Sequence, residues 1–134
     1  MNISITLPDD SANGFIDVLC GDPEGTHCGD LLLRSFSGWW LFGLLHRPGY
    51  WLVCDAERMT GAVFDEAMQD AEALMDKAQR GESLPENVYL MDRAAAIRAL
   101  TYGVERWGVE GFLGGRGDED CAVQHALLGR VLYG

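Results

Sequence analysis

The sequence predicts a helix-rich α+β fold, in which a small antiparallel sheet of two or three short strands packs with four or five helices. Short runs of β-forming residues next to turn residues predict strands at residues 2–7, 50–53 and 87–91. Longer stretches with apolar residues at every third or fourth position predict helices at residues 60–80, 93–107 and 119–133. We expect the helices to lie mainly on one face of the sheet, in a single domain spanning residues 1–134.

Local signals set the expected boundaries of the other elements. Asp92 and Asp118 are suitable N-caps for the two later helices, and Gly108 is expected to end the first of them. Ser11 is a suitable cap for a further short helix that continues to residue 19. Residues 111–117 contain four glycines and predict a loop, which lacks the GK[ST] ending of a phosphate-binding loop.

The most apolar part of the chain is residues 31–53, which carries three of the four tryptophans: Trp39, Trp40 and Trp51. A membrane-spanning helix needs about 20 apolar residues with few charges. The apolar run here ends at residue 45 and includes an arginine, so it is too short and too polar for a span. We therefore expect a core element.

Two secondary structures compete for this stretch. Asp30 as N-cap and apolar residues at helical spacing favour a helix over residues 30–46, ended by Pro48 and the glycine after it. The alternative is a hairpin with strands at residues 39–45 and 50–53, because aromatic residues favour strands and glycines weaken helices. The helix is the favoured interpretation.

Charge is the most informative global property of the chain. Its 21 acidic residues outnumber 10 basic ones, which gives a formal net charge of −11 and a pI of about 4.4. Nucleic acids and anionic membranes bind basic surfaces, so we expect no direct contact with either. A basic partner protein would instead be attracted and steered. Solubility alone also accounts for an acidic composition, and this alternative stays open.

The helix predicted at residues 60–80 carries the leading candidate site. Thr60 is a suitable N-cap, and Gly81 is expected to end the helix. Apolar residues fall on one arc of this helix and carboxylates on the opposite arc. The candidate partner-binding residues are five acids: Asp65, Glu66, Asp70, Glu72 and Asp76. The same arc is also what an ordinary solvated face looks like.

A second candidate site consists of cysteines and histidines. These side chains could ligate zinc or supply a nucleophile and its base, and the residues are Cys20, His27, Cys28, Cys121 and His125. Structural zinc sites usually contain two CxxC-like pairs, and the sequence has none. We therefore predict no metal, no cofactor and no catalytic residues. The amino terminus shows no secretory leader pattern, which favours the reducing cytoplasm and unpaired thiols.

In length, charge and acidic helix 60–80, and in its lack of a catalytic motif, the chain resembles small acidic inhibitor proteins of bacteriophages and mobile elements. These include anti-CRISPR proteins and the DNA mimics that block restriction enzymes. The resemblance implies a stoichiometric inhibitor in the cytoplasm of a bacterial host cell, occupying a basic, nucleic-acid-binding groove of its target. The chain departs from a pure DNA mimic because residues 28–58 and 83–117 are charge-neutral and rich in tryptophan. They suggest a mixed interface, in which an exposed aromatic anchor accompanies the acids.

Three hypotheses follow. The first is a non-catalytic inhibitor, monomeric or homodimeric, that uses its acidic face to block a basic nucleic-acid-binding protein or complex. The second is the small metal-binding protein or enzyme with the cysteine and histidine cluster. The third is a structural or oligomerising module that buries the aromatic stretch between subunits.

Overall fold

The computed structural model of the protein describes Ile16, Leu19, Cys20, residues 40–114 and residues 117–133. Strands β1 (Leu41–Arg47), β2 (Tyr50–Asp55) and β3 (Val88–Met91) form one antiparallel sheet in the order β1-β2-β3. The helices are α1 (Gly61–Gln69), α2 (Ala71–Gln79), α3 (Arg93–Trp107), α4 (Val109–Leu113) and α5 (Glu119–Leu128). This arrangement confirms the α+β fold class. Within the described residues, none of the helices has the length and apolar character needed to cross a membrane.

The central apolar stretch forms a hairpin in its described part, so the helix predicted over residues 30–46 is wrong at residues 41–46. Residues 30–39 lie outside the described residues. Arg47 pairs with Tyr50 across Pro48 and Gly49, and Gly49 has a φ of 80°. Proline followed by a glycine with positive φ is the signature of a type II turn, and it fixes the reversal of the chain. Strand pairing along the whole of β2 then outweighs the helical spacing of β1.

A β-bulge in β1 allows two consecutive residues, Leu44 and Leu45, to pack into the same core. The register of β1 against β2 shifts between Gly43 and Leu45, so that one residue is extra on β1. Both leucines pack on the side of the sheet that faces α2. Opposite the bulge, the Trp51 ring would lie 3.0 Å from a Cβ placed on Gly43, so glycine there makes room for the indole.

Helices cover both faces of the sheet, so the expectation that they lie mainly on one face is wrong. Alternate residues of β2 point to opposite faces. Trp51 and Val53 belong to the core shared with α3 and α5, which also contains Ile16, Leu19 and Cys20. Leu52 and Cys54 belong to the core shared with α1 and α2. A strand buried on both faces is apolar at successive positions, as residues 51–54 are, and not at alternate ones.

The helix predicted at residues 60–80 is present but divided at Asp70. Thr60 caps α1 as predicted, since its hydroxyl accepts a hydrogen bond from the Val63 amide at 3.3 Å. Asp70, with φ −92° and ψ 7°, lies between α1 and α2. Gly81 follows α2 with a φ of 76°, the left-handed conformation expected beyond a helix end. The continuous pattern of residues 60–80 thus folds as two helices of nine residues each.

The second half of the chain confirms the predicted caps and corrects one loop. The carboxylates of Asp92 and Asp118 cap α3 and α5, and Gly108 ends α3 with a φ of 79°. The loop predicted at residues 111–117 is wrong in its first part, where α4 buries Phe112 against the core. The last helix ends at Leu128, so the helix predicted at residues 119–133 is wrong at residues 129–133. Residues 130–133 form a non-helical segment that we name the C-terminal strap.

The start of the chain tests the remaining predictions only in part. Ile16, Leu19 and Cys20 are helical and buried, in agreement with the short helix expected after Ser11. The strand predicted at residues 2–7 lies outside the described residues.

Candidate functional site

All five predicted partner-binding acids are exposed, and four of them form two separate pairs. Glu72 and Asp76 lie on α2 and contact the hairpin. Glu66 and Asp70 line a groove between α1, the start of α2 and the loop before β3. Asp65 is exposed on α1 and lines neither of these features.

Arg47, at the end of β1, binds the first group. One guanidinium nitrogen of Arg47 lies 2.9 Å from the Glu72 carboxylate, and the other lies 2.8 Å from that of Asp76. Hydrogen bonds to Asp76 and then to Glu72 are the main causes that raise the pKa of Arg47. A cation from another protein would therefore compete with Arg47 for these two acids. Sequence reasoning missed this contact because it depends on the hairpin, which brings residues far apart in the chain together.

The second group borders a groove of about 130 Å³ between α1, the start of α2 and the loop before β3. Its apolar lining comes from both helices, the loop and the sheet: Met59, Val63, Ala67, Leu74, Pro85 and Val88. Three carboxylate residues also line it: Glu66, Asp70 and Glu86. We name this feature the acidic groove. Glu86 was not among the predicted site residues, and nothing in the loop around it distinguishes it from any other exposed glutamate.

Helical spacing places two of the three acids of the acidic groove side by side. Asp70 lies where α1 ends, and its backbone amide still donates to the Glu66 carbonyl at 2.9 Å. Glu66 and Asp70 are therefore one helical turn apart and on the same side. Val63, which lies beside them on α1, is 46% exposed and is one of the large apolar residues that reach solvent. The groove thus combines exposed apolar surface with three acids.

Trp40 and Trp51 do not supply the exposed aromatic anchor, whereas Trp107 at the end of α3 is only partly buried. Trp40 is fully buried and Trp51 is 5% exposed, because both fill the protein's own core. The large apolar side chains that reach solvent near α1 are Phe42, Val63 and Met68. Phe42 contacts Phe64 of α1 edge to face, with ring centroids 5.0 Å apart. Trp39 lies outside the described residues.

The cysteine and histidine cluster is only partly described. Cys20 is buried and its thiol donates to the Ile16 carbonyl at 3.1 Å, whereas Cys121 is half-buried on α5. His125 is exposed and stacks on Tyr102, with ring centroids 4.3 Å apart. Among the described residues, no three metal-ligating side chains come together. His27 and Cys28 lie outside the described residues, so the metal hypothesis stays a prediction.

The Cys121 thiol is a poor nucleophile in this environment. Its partial burial, and then the carboxylate of Asp118, raise its pKa to about 11. Because only the thiolate reacts with iodoacetamide, we expect the alkylation rate of Cys121 to rise about tenfold per pH unit from pH ~7 to pH ~10. Peptide mapping by mass spectrometry after timed alkylation measures this rate at Cys121 alone. A rate that already levels off near pH 7 would contradict the expectation and would support the enzyme hypothesis.

Two further acids do not line the acidic groove: Asp55 is fully buried, and Asp120 is half-buried at the start of α5. Asp55 accepts hydrogen bonds from the Tyr133 hydroxyl at 2.8 Å and the Glu57 amide at 3.2 Å. Asp120 accepts from the Trp40 indole at 2.7 Å and the Gln124 amide at 2.8 Å. Burial raises the pKa of Asp120, which these hydrogen bonds partly oppose. Each carboxylate thus has two donors and connects distant parts of the core, which is a structural role.

The described surface therefore offers the acidic groove as its best candidate site: apolar side chains are exposed there beside carboxylates that no cation of the described chain engages. Comparison with known proteins finds no matching family model, no matching curated protein and no matching solved structure.

Proposed function

We propose that this protein is a non-catalytic inhibitor that binds a basic, nucleic-acid-binding protein or complex through its acidic face. In this proposal it acts stoichiometrically in the cytoplasm of a bacterial host cell, in the manner of anti-CRISPR or anti-restriction proteins. The observation that carries the proposal is the acidic groove. Within the described residues, its three carboxylates make no ion pair. The ion pairs between described residues are made by acids outside the groove.

The physical basis is competition for the same cations. Lys and Arg side chains that hold phosphates form charge-assisted hydrogen bonds equally well with carboxylates. The net charge of −11 attracts a basic surface over long range and speeds the encounter. At close range, an exposed apolar surface gains free energy when a partner covers it, which charge alone does not provide. Glu66, Asp70 and Glu86 lie beside such a surface.

The test is capture of partners from a bacterial lysate with wild-type protein and with Glu66→Gln/Asp70→Asn. We expect the wild type to retain nucleic-acid-binding proteins that double-stranded DNA releases and that high salt weakens, since ion pairs between exposed groups are screened. The double variant should retain about tenfold less, which corresponds to a loss of about 1.4 kcal/mol.

A matched control removes the same charge elsewhere. Glu105 and Glu110 are exposed on α3 and α4, outside the acidic groove. Glu105→Gln/Glu110→Gln should capture as much partner as the wild type. The proposal is overturned when no captured protein is released by DNA, or when both double variants lose binding equally, because the acidity would then act only through net charge.

A further inference from the structure

The acidic groove and the Arg47 site contain the same local pattern. Residues 66–70 read Glu-Ala-Met-Gln-Asp, and residues 72–76 read Glu-Ala-Leu-Met-Asp. In both, a glutamate and an aspartate are four residues apart, which places them on one side of a helix. In the second, the guanidinium of Arg47 bridges the two carboxylates at 2.9 and 2.8 Å. In this protein, a glutamate and an aspartate with this spacing therefore bind an arginine side chain.

The first pair differs in what lies beside it. No cation of the described chain bridges Glu66 and Asp70, and an apolar lining that includes Val63, Ala67 and Val88 adjoins them. A long cationic side chain fits both parts of such a site, because its methylene stem packs on apolar surface while its charged end reaches polar groups. The groove volume of about 130 Å³ admits part of one such side chain and no second one, since a cavity of ~150 Å³ holds a single benzene molecule.

We infer that the acidic groove is a receptor for one arginine side chain presented by the partner protein. The stem would lie along Val63 and Val88, and the guanidinium would pair with Glu66 and Asp70, with Glu86 on the opposite wall. Arginine fits better than lysine because its planar guanidinium donates to two carboxylates at once and is more weakly hydrated. This inference rests on the proposed function for the protein nature of the partner, and it adds the identity of the side chain that is bound.

The inference can be tested without the partner. The probe is the peptide acetyl-Gly-Arg-Gly-amide, added to isotope-labelled full-length protein while the methyl signals of Val63, Leu74 and Val88 are followed by NMR. We expect saturable shifts confined to residues of the acidic groove. The corresponding lysine peptide should bind several-fold more weakly, and the citrulline peptide, which has the shape without the charge, should not bind.

Variants and outcomes separate this inference from the proposed function. Glu66→Gln/Asp70→Asn should weaken the arginine peptide about tenfold or more, and Glu105→Gln/Glu110→Gln should leave its affinity unchanged. Equal binding of arginine and lysine peptides, or shifts spread over the acidic surface with the three methyl signals unmoved, overturns the inference. If that happens while lysate partners are still released by DNA, the inference alone fails. If the arginine peptide binds but no captured partner is released by DNA, the proposed function alone fails.

Discussion

Replacing Gly103 with alanine is expected to destabilise the protein by about 1–3 kcal/mol, the usual cost of overpacking a core. Gly103 lies inside α3, and a Cβ added there would lie 2.4 Å from the Phe112 ring. The ring has little room to retreat, because Trp107 stacks on it with a centroid distance of 5.9 Å. Urea denaturation followed by circular dichroism measures the loss.

A loss of stability in Gly103→Ala would be informative because it is opposite to the usual effect of this substitution in a helix. Glycine to alanine inside a helix normally stabilises by up to about 1 kcal/mol, because alanine has the better helix propensity. Gly61 lies at the start of α1, and a Cβ added there would have no atom within 4 Å, so Gly61→Ala is the matched control and should be neutral or stabilising. Combining Gly103→Ala with Phe112→Leu should cost less than the two single changes added together. A neutral Gly103→Ala would show that α3 and α4 do not approach this closely.

Replacing Gln124 with alanine is expected to cost about 3 kcal/mol, since each buried polar group that loses its partner costs about 1–3 kcal/mol. Gln124 is fully buried, and its side-chain oxygen accepts from the backbone amides of Leu132 and Tyr133 at 2.9 and 2.8 Å. Its nitrogen donates to the Asp120 carboxylate and to the Tyr133 carbonyl. One side chain therefore holds the C-terminal strap against α5. Thermal and urea unfolding give the change in stability.

A truncation supplies the second half of a double-mutant cycle. Removing residues 130–134 should destabilise by a similar amount, because it removes the Tyr133 contacts to Asp55 and to the Trp40 ring, 5.7 Å away. Gln124→Ala in the truncated protein should then add much less than it does in the full chain. Gln69→Ala, at an exposed position on α1, is the control and should change stability by less than about 0.5 kcal/mol. Full additivity of truncation and Gln124→Ala would mean that Gln124 does not act through the strap.

Features that depend on a few neighbouring residues could be predicted from the sequence. The N-caps Thr60, Asp92 and Asp118 are confirmed because a cap needs only its own side chain and the next helical turn. The end of α3 at Gly108 is confirmed for the same reason. In the central stretch, the local signals favoured the helix over the hairpin, but pairing with β2 makes residues 41–47 a strand. Strand pairing is a long-range contact that residue spacing does not report.

The candidate site shows the same limit. Asp65, Glu66, Asp70, Glu72 and Asp76 were identified as acids on one helix, and all five are exposed. The hairpin places Arg47 against two of these acids, Glu72 and Asp76. The loop before β3 places Glu86 beside two others, Glu66 and Asp70. The groove itself depends on Pro85 and Val88, because these residues come from outside the helices and their position cannot be predicted from the pattern of residues 60–80.

The break at Asp70 also separates two helices that are anchored very differently. Helix α1 buries Ala67 alone, whereas α2 buries Ala71, Leu74, Met75 and Ala78. Few buried contacts mean a low free energy of local opening, so amide hydrogens in α1 should exchange well before those in α2. A ligand in the acidic groove would touch α1 and the loop before β3 together, and so would hold the weakly anchored helix to the rest of the fold. Binding of a ligand in the acidic groove should therefore slow deuterium uptake along α1, even if the backbone atoms do not change position.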